Sequence, residues 1–257
     1  MLFCDLDGTL TGGNGRGHSA RLLPLMRQLR ARGVRIGIVS GRDSRSVRTV
    51  HRLFDLNGPI IAENGAEIIL NPADDERKTR VCGGLRPSQI ALLERRIAER
   101  GLLERVWIDP EKRRMITLYP KSFPHRKPEE LPALTRRVAS VLGDSLHELE
   151  ITYSSAAVDI CAGGANKGDG ISAVRRLTRT ALSSVAFVGD SRNDQSAFDV
   201  VRRGKGWLAF VGTDRAVKET LRDYPRAYFP RRRASEGCAS FLQFLLENAS
   251  LPPSSKR

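Results

Sequence analysis

Hydrophobic positions along the chain follow two rhythms. Met1-Leu2-Phe3-Cys4 is a short apolar run that stops at two carboxylates, Asp5 and Asp7. From Ala20 to Arg32, Leu22, Leu25, Met26 and Leu29 recur at helical spacing, and Gly33 is a suitable stop. Val34 to Val39 reads as a strand that ends on Ser40-Gly41-Arg42, and Ser44 to Phe54 reads as a helix. Pro59 to Ala62 reads as a further short strand, ending on Glu63-Asn64-Gly65. Strands alternating with helices in this way predict a parallel sheet with crossover connections.

The rhythm then changes. The polar stretch Asn71 to Lys78 reads as a connection, followed by a helix over Pro87–Arg100 and strands around Arg105–Ile108 and Met115–Tyr119. A proline-rich link leads to a helix over Leu131–Leu142 and to strands over Leu146–Thr152 and Ala157–Cys161. Helices alternating with antiparallel-looking strand pairs predict a separate α+β module inserted in the first. The α/β rhythm returns with a helix over Gly168–Thr180, a strand over Val185–Val188 ending at Gly189-Asp190, and a helix over Ser196–Arg202. A strand over Trp207–Val211 and a helix over Cys238–Asn248 close the pattern. The expected organisation is a core in two parts, 1–78 and 163–250, an inserted module over 79–162, and a frayed tail over 251–257.

Composition narrows this picture only a little. A chain of 257 residues, 40% hydrophobic and 28% charged, is an ordinary folded protein with room for a substantial core. No apolar run approaches membrane-spanning length, and acids from residue 5 onward break any signal-peptide pattern, so a cytoplasmic protein without a membrane partner is expected. Cys4, Cys82, Cys161 and Cys238 lie far apart without histidine partners at metal spacing, and reduced thiols are the expectation. The net charge of +14 favours anionic ligands. The arginines are nevertheless dispersed, and the densest run, Arg231-Arg232-Arg233, lacks interleaved aromatics, so a solvated basic surface is expected rather than a nucleic-acid site.

The chemistry collects at the strand ends. In open parallel sheets ligands bind beyond the carboxyl ends of the strands. Polar groups stand at those ends four times over: Asp5 and Asp7, Ser40, Asn64, and Asp190 with Asp194. One such acid is usually a turn or a cap; four strands doing it together point to a site. Carboxylates converging in a crevice repel one another unless a cation lies between them, and oxygen ligands without Cys or His point to Mg²⁺. One carboxylate can attack phosphorus to form an aspartyl-phosphate, while a second handles the proton of the leaving group and of water. Gly8 allows close backbone approach to a phosphate, Ser40 can donate to it, and Lys167 can offset its charge.

Asp5-Leu6-Asp7-Gly8-Thr9 resembles the DxDGT signature of the haloacid dehalogenase (HAD) superfamily. Ser40-Gly41-Arg42 resembles its second motif, Lys167 its third, and Gly189-Asp190-Ser191-Arg192-Asn193-Asp194 its fourth. The inserted module, between the second and third motifs, has the position of the C2-type cap of Cof-like sugar phosphatases. The resemblance implies an α/β fold, a Rossmann-like three-layer core with a central parallel sheet, plus an inserted α+β cap. It further implies Asp5 as nucleophile and Asp7 as acid/base. Ser40, Gly41, Arg42, Asn64, Lys167 and Asn193, with Gly8, would hold the phosphoryl group or its neighbours. Mg²⁺ would be shared by Asp5, the backbone carbonyl of Asp7, Asp190 and Asp194. The acid at Asp7 separates the chain from the dehalogenases and transport ATPases of the superfamily. The fourth motif lacks the extra glycines of phosphomannomutases.

The expected activity is a phosphatase acting on a small phosphorylated metabolite. A phosphotransferase or mutase on the same scaffold, and a noncatalytic basic binding protein, are the alternatives. Arg113, Arg114, Lys121 and His125 are the cap residues considered for substrate contact, each more simply a surface residue. Oligomeric state is not legible.

Overall fold

The computed structural model describes residues 1–12, 17–73, 80–81, 83–123, 125, 130–143, 148–154 and 156–248. Within these residues the chain builds two sheets. The first element, β1 (Leu2–Asp5), is buried along its whole length and lies at the centre of the larger sheet. It pairs in parallel with β2 (Ile36–Val39) on one side and, on the other, with a strand from the far end of the chain, Ala186–Gly189. β3 (Ile60–Ala62) continues the parallel ladder beyond β2.

The parallel sheet carries an antiparallel pair at this edge: β4 (Glu67–Ile69) folds back on β3, and β5 (Arg80–Val81) pairs with β4. Neither strand is apparent in the hydrophobic pattern. Two or three residues are too few to show alternation, and the polar stretch between them, of which 74–79 lie outside the described residues, hides the pairing.

The inserted module follows. It contains α3 (Pro87–Glu99), β6 (Val106–Ile108), β7 (Ile116–Pro120), α4 (Glu130–Leu142), β8 (Leu149–Tyr153) and β9 (Val158–Ala162). Its four strands form an antiparallel sheet in the order β6-β7-β9-β8. Period-two alternation divides the faces. Ile116, Leu118, Val158 and Ile160 pack with Leu93 and Ile97 of α3 and with Leu131, Leu134 and Val138 of α4 into a separate apolar cluster. Thr117, Tyr119, Asp159 and Cys161 therefore lie on the other face.

The chain then returns to the large sheet through α5 (Lys167–Leu177), β10 (Ala186–Gly189), α6 (Gln195–Arg203), β11 (Leu208–Phe210), α7 (Arg215–Leu221), the two-residue strand β12 (Ala227–Tyr228) and α8 (Ala234–Asn248). The full order is β12-β11-β10-β1-β2-β3-β4-β5. Helix α1 (Leu22–Ala31) presents Leu22, Leu25, Met26 and Leu29, and with α8 it covers one face, where Leu2, Cys4, Ile36 and Ile38 point. Helices α5, α6 and α7 cover the other, where Phe3, Phe187, Phe210 and Phe198 meet. The core is thus the expected three-layer α/β arrangement, and the inserted module is the expected cap. Helix α2 (Ser44–Leu53) starts cleanly because the Asp43 side chain accepts the Ser46 amide proton at 2.9 Å.

Elements α7 and β12 were not expected, since one is short and heavily charged and the other has two residues. Helix α8 begins four residues before Cys238, and α5 begins on Lys167 itself. Cys4, Cys161 and Cys238 carry free thiols, while Cys82 and the tail over 251–257 lie outside the described residues. Arg231, Arg232 and Arg233 are exposed. Among the described residues no helix is long and apolar enough to cross a membrane.

Candidate active site

Central strand β1 is sealed between the two helical layers, and its last residue, Asp5, stays buried at 4% exposure. Beyond it the backbone makes one wide turn over Leu6–Leu10, in which Gly8 takes φ 80°. A side chain at Gly8 would also run into the Asp190 carboxylate, so glycine is required there twice, by its dihedral and by the approach of β10's loop. The approach of Asp190 is a second demand for glycine, beside the phosphate approach expected from the sequence.

Three carboxylates converge at the strand ends. Asp5, Asp190 and Asp194 each offer an oxygen within 4.8 Å of the other two. Lys167, at the first turn of α5, donates to Asp5 Oδ1 and to Asp194 Oδ1, both at 2.7 Å. Asp194 is fully buried, and its other oxygen accepts the amide protons of Asp190 at 2.9 Å and Ser191 at 3.1 Å. Asp190 is served less well: the Thr9 hydroxyl donates to it at 3.4 Å, and no cation pairs with it among the described residues. Burial, together with the charges of Asp5 and Asp194, raises the Asp190 carboxyl well above its ordinary range. Burial raises Asp5 too, against the pull of Lys167, and the two aspartates hold Lys167 firmly protonated.

With all three carboxyls ionised, the cluster would carry more negative charge than one lysine offsets, and every unsatisfied donor atom is a hard oxygen. That donor set fits a divalent cation of the Mg²⁺ type.

Asp7 turns the other way. Its carboxylate forms a bidentate pair with Arg42, Nε to Oδ2 at 2.7 Å and Nη2 to Oδ1 at 2.6 Å. Both side chains are about two-fifths exposed, at 41% and 42%, so this pair stands outside the buried carboxylate cluster. Ser40 ends β2, and its hydroxyl accepts the Arg42 amide proton at 3.1 Å, leaving its own proton available to an incoming oxygen. Asn64 and Asn193 join in a chain: Asn193 Nδ2 donates to Asn64 Oδ1 at 3.3 Å, and Asn64 Nδ2 donates to Asp159 Oδ2 at 3.3 Å. Asp159 is on β9 of the cap, so this chain crosses from core to cap.

The structure thus gathers Asp5, Lys167, Asp190 and Asp194 into one cluster, sets Asp7 and Arg42 together beside it, and carries Asn64 and Asn193 up to the roof. Of the cap residues singled out from the sequence, Arg113 lines the seam with the core and Arg114 Nε lies 4.0 Å from Glu67 Oε1 of β4. Lys121 and His125 are exposed, and Arg113 and Arg114 reach the core through their backbone amides, both donated to Glu63.

Four residues that sequence reasoning missed lie where core and cap meet. Lys112, with a side chain only 6% exposed, donates to the Gly41 carbonyl at 2.7 Å. Asp159 is buried and accepts the Thr117 hydroxyl proton at 2.8 Å. Tyr119 lies within range of the charges of Asp7 and Arg42, and burial pushes its phenol up to about 12. Glu63 is buried beside Asn64. An acid inside the apolar run Val158-Asp159-Ile160 was the signal available for Asp159; nothing in the local sequence marks Lys112.

A cleft of about 140 Å³ opens at the seam between core and cap, lined by Asp43, Ser44, Arg48, Glu63, Glu111 and Arg113 among others, and none of the carboxylate cluster borders it.

Residues 1–244 match the family model of sucrose-6F-phosphate phosphohydrolase. A phosphoglycolate phosphatase of Methanopyrus kandleri is 25% identical over 252 residues, covering 96% of this chain and 97% of its own. One from Sulfolobus acidocaldarius is 27% identical over 195 residues, 76% of this chain and 77% of its own. The sucrose-phosphatase of Synechocystis sp. PCC6803, solved with sucrose and phosphate, shares the fold at TM-score 0.65 and 17% identity, with 96% of each chain covered.

Proposed function

The chain belongs to the sucrose-6F-phosphate phosphohydrolase family, a phosphoric monoester hydrolase of HAD type, and we propose that it hydrolyses a small phosphorylated metabolite through an aspartyl-phosphate formed on Asp5. The observation that carries this reading is the meeting of Asp5, Asp190 and Asp194 around Lys167 at the end of β1. A carboxylate buried at a strand end, held by an ammonium and facing a cation site, is a fixed nucleophile beside fixed positive charge.

In the first step an Asp5 oxygen bonds to phosphorus and the bond from phosphorus to the leaving oxygen breaks. Asp7 gives its proton to that leaving oxygen. In the second step water bonds to phosphorus, Asp7 takes the water's proton, and the bond from phosphorus to Asp5 breaks, releasing inorganic phosphate. Arg42 grips Asp7 through both oxygens and so fixes the orientation of its carboxylate. Lys167 and the Ser40 hydroxyl are assigned to the phosphoryl oxygens.

Mg²⁺ would be held by Asp5, Asp190 and Asp194, with the Asp7 carbonyl as a further oxygen, and when bound it supplies positive charge against the phosphoryl group. The cap, residues 79–162, would exclude water and hold the rest of the substrate.

The family description and the curated relatives name two substrate kinds, sucrose phosphate and phosphoglycolate. The test is therefore phosphate release from a panel of phosphorylated sugars and carboxylic acids, with Mg²⁺ or with EDTA, for wild type and Asp5→Asn. The expected result is metal-dependent release that falls by at least about a thousandfold in Asp5→Asn. Release that survives that substitution overturns the nucleophile. No release at all by folded wild type overturns the phosphatase reading in favour of a transferase or a binding role.

A further inference from the structure

Two consecutive non-glycine residues at the end of β3, Glu63 and Asn64, take left-handed backbone angles, φ 46° and 53°. Such conformations are costly and persist only where their surroundings over-determine them. Here the backbone is stitched to the loop after β2: the Glu63 amide donates to the Arg42 carbonyl at 3.0 Å, and the Asn64 amide donates to the Ser40 carbonyl at 3.1 Å. The two side chains are thereby turned toward the cap.

The Glu63 carboxylate is 1% exposed and, among the described residues, forms no ion pair. Burying a charge in this way is costly unless hydrogen bonds replace its water. The replacement comes from one cap loop, 109–115, between β6 and β7. The Arg113 amide donates to Oε1 at 3.0 Å and Oε2 at 3.1 Å, and the Arg114 amide donates to Oε2 at 2.7 Å. From the same loop Lys112 returns to the core at the Gly41 carbonyl, one residue before Arg42. The loop is therefore clamped against the segment that carries Asp7's partner. Two acceptor oxygens meeting two backbone donors is a task for a carboxylate; an amide side chain offers one acceptor and would aim its own N–H at a donor.

Resting on the phosphatase reading, we infer that Glu63 is a positioning residue: it seats the cap by gripping the 109–115 loop, whose Lys112 adds a second tie to the core at the Gly41 carbonyl. It does not touch substrate. Its effect falls on substrates whose turnover depends on the cap.

Two readouts test this on the full chain, using Glu63→Ala and Glu63→Gln, the latter serving also if the alanine variant fails to fold. Amide hydrogen exchange needs no substrate. Exchange at Arg113 and Arg114 is expected to speed up at least about tenfold in Glu63→Ala and less in Glu63→Gln, with β1 unchanged. In kinetics with Mg²⁺, kcat/KM for the best metabolite in the panel is expected to fall about tenfold. Turnover of p-nitrophenyl phosphate, whose activated leaving group asks little of the cap, should stay within about threefold. Unchanged exchange overturns the grip. Faster exchange without loss on the metabolite, or equal loss on both substrates, overturns the positioning role. Should wild type turn over neither substrate, the phosphatase reading fails by itself, and exchange still decides whether Glu63 holds the loop.

Discussion

A buried carboxyl that exchanges water for amide donors titrates between its two surroundings, and Glu63 illustrates the outcome. Burial pushes it up to about 7; the Arg113 and Arg114 amides and the Lys112 charge pull the other way, and Glu67 on β4 adds repulsion. Asp43, Arg45, Arg48, Glu111 and Arg113 face the same seam. Because the folded value lies above the ordinary one, the folded protein binds more protons than the unfolded chain between about pH 4.5 and 7. Stability from this group is therefore full below that window and is lost as pH rises through it. Melting temperatures of wild type and Glu63→Gln across pH 5 to 8 should show wild type losing ground up to about pH 7, then running parallel. A constant offset at every pH would mean that Glu63 is already ionised at pH 5. At this scale Asp5, Lys167, Asp190 and Asp194 were legible as an ordered set, since each follows a strand or opens a helix. That Gly8 abuts Asp190, and that Lys167 bridges Asp5 to Asp194, was not legible, because such contacts join residues more than twenty positions apart and in most cases more than a hundred and sixty.

Elements were readable where the apolar pattern repeats and unreadable where it is too short to repeat. Helix α1, with four leucine or methionine positions on one face, followed the expected periodicity, whereas β4, β5 and β12 have three, two and two residues. Packing of the elements yields a prediction of its own. Phe198 of α6 is fully buried with Phe187 and Phe210 in one core cluster, and Leu118 of β7 is fully buried in the separate cluster of the cap. Phe198→Ala should cost about 3–5 kcal/mol and Leu118→Ala about 2–5 kcal/mol. With no shared neighbours the two costs should add to within about 0.5 kcal/mol in the double variant, measured by urea denaturation. A coupling above about 1 kcal/mol would show that cap and core transmit packing changes through their seam.

At the scale of the molecule, folding gathers carboxylates that repel one another, and a cation bound among them would recover part of the free energy of holding them together. On the proposed reading Mg²⁺ would bind the folded chain and find no assembled site in the unfolded one, so saturating it would stabilise the fold by mass action. At a hundred times its Kd the gain is about 2.7 kcal/mol. Thermal melts should therefore rise on adding Mg²⁺ and return on adding EDTA. The rise should largely vanish in Asp190→Asn, which removes the carboxylate with no cation partner. A rise of equal size in that variant would put the metal elsewhere.

The order of apolar runs and helical stripes was enough to determine an α/β core with an inserted α+β cap, because burial against two helical layers imposes a period that can be read residue by residue. The acids at the strand ends, too, declared themselves locally, since nothing in a buried strand calls for a carboxylate at its tip. The tertiary structure alone decided which oxygen meets which donor. It set Asp7 against Arg42 and away from the cluster, turned Asn64 toward Asp159, and gave Glu63 the amides of a loop fifty residues away. Those pairings depend on distances between elements that only packing brings together, and one-dimensional periodicity carries no record of them.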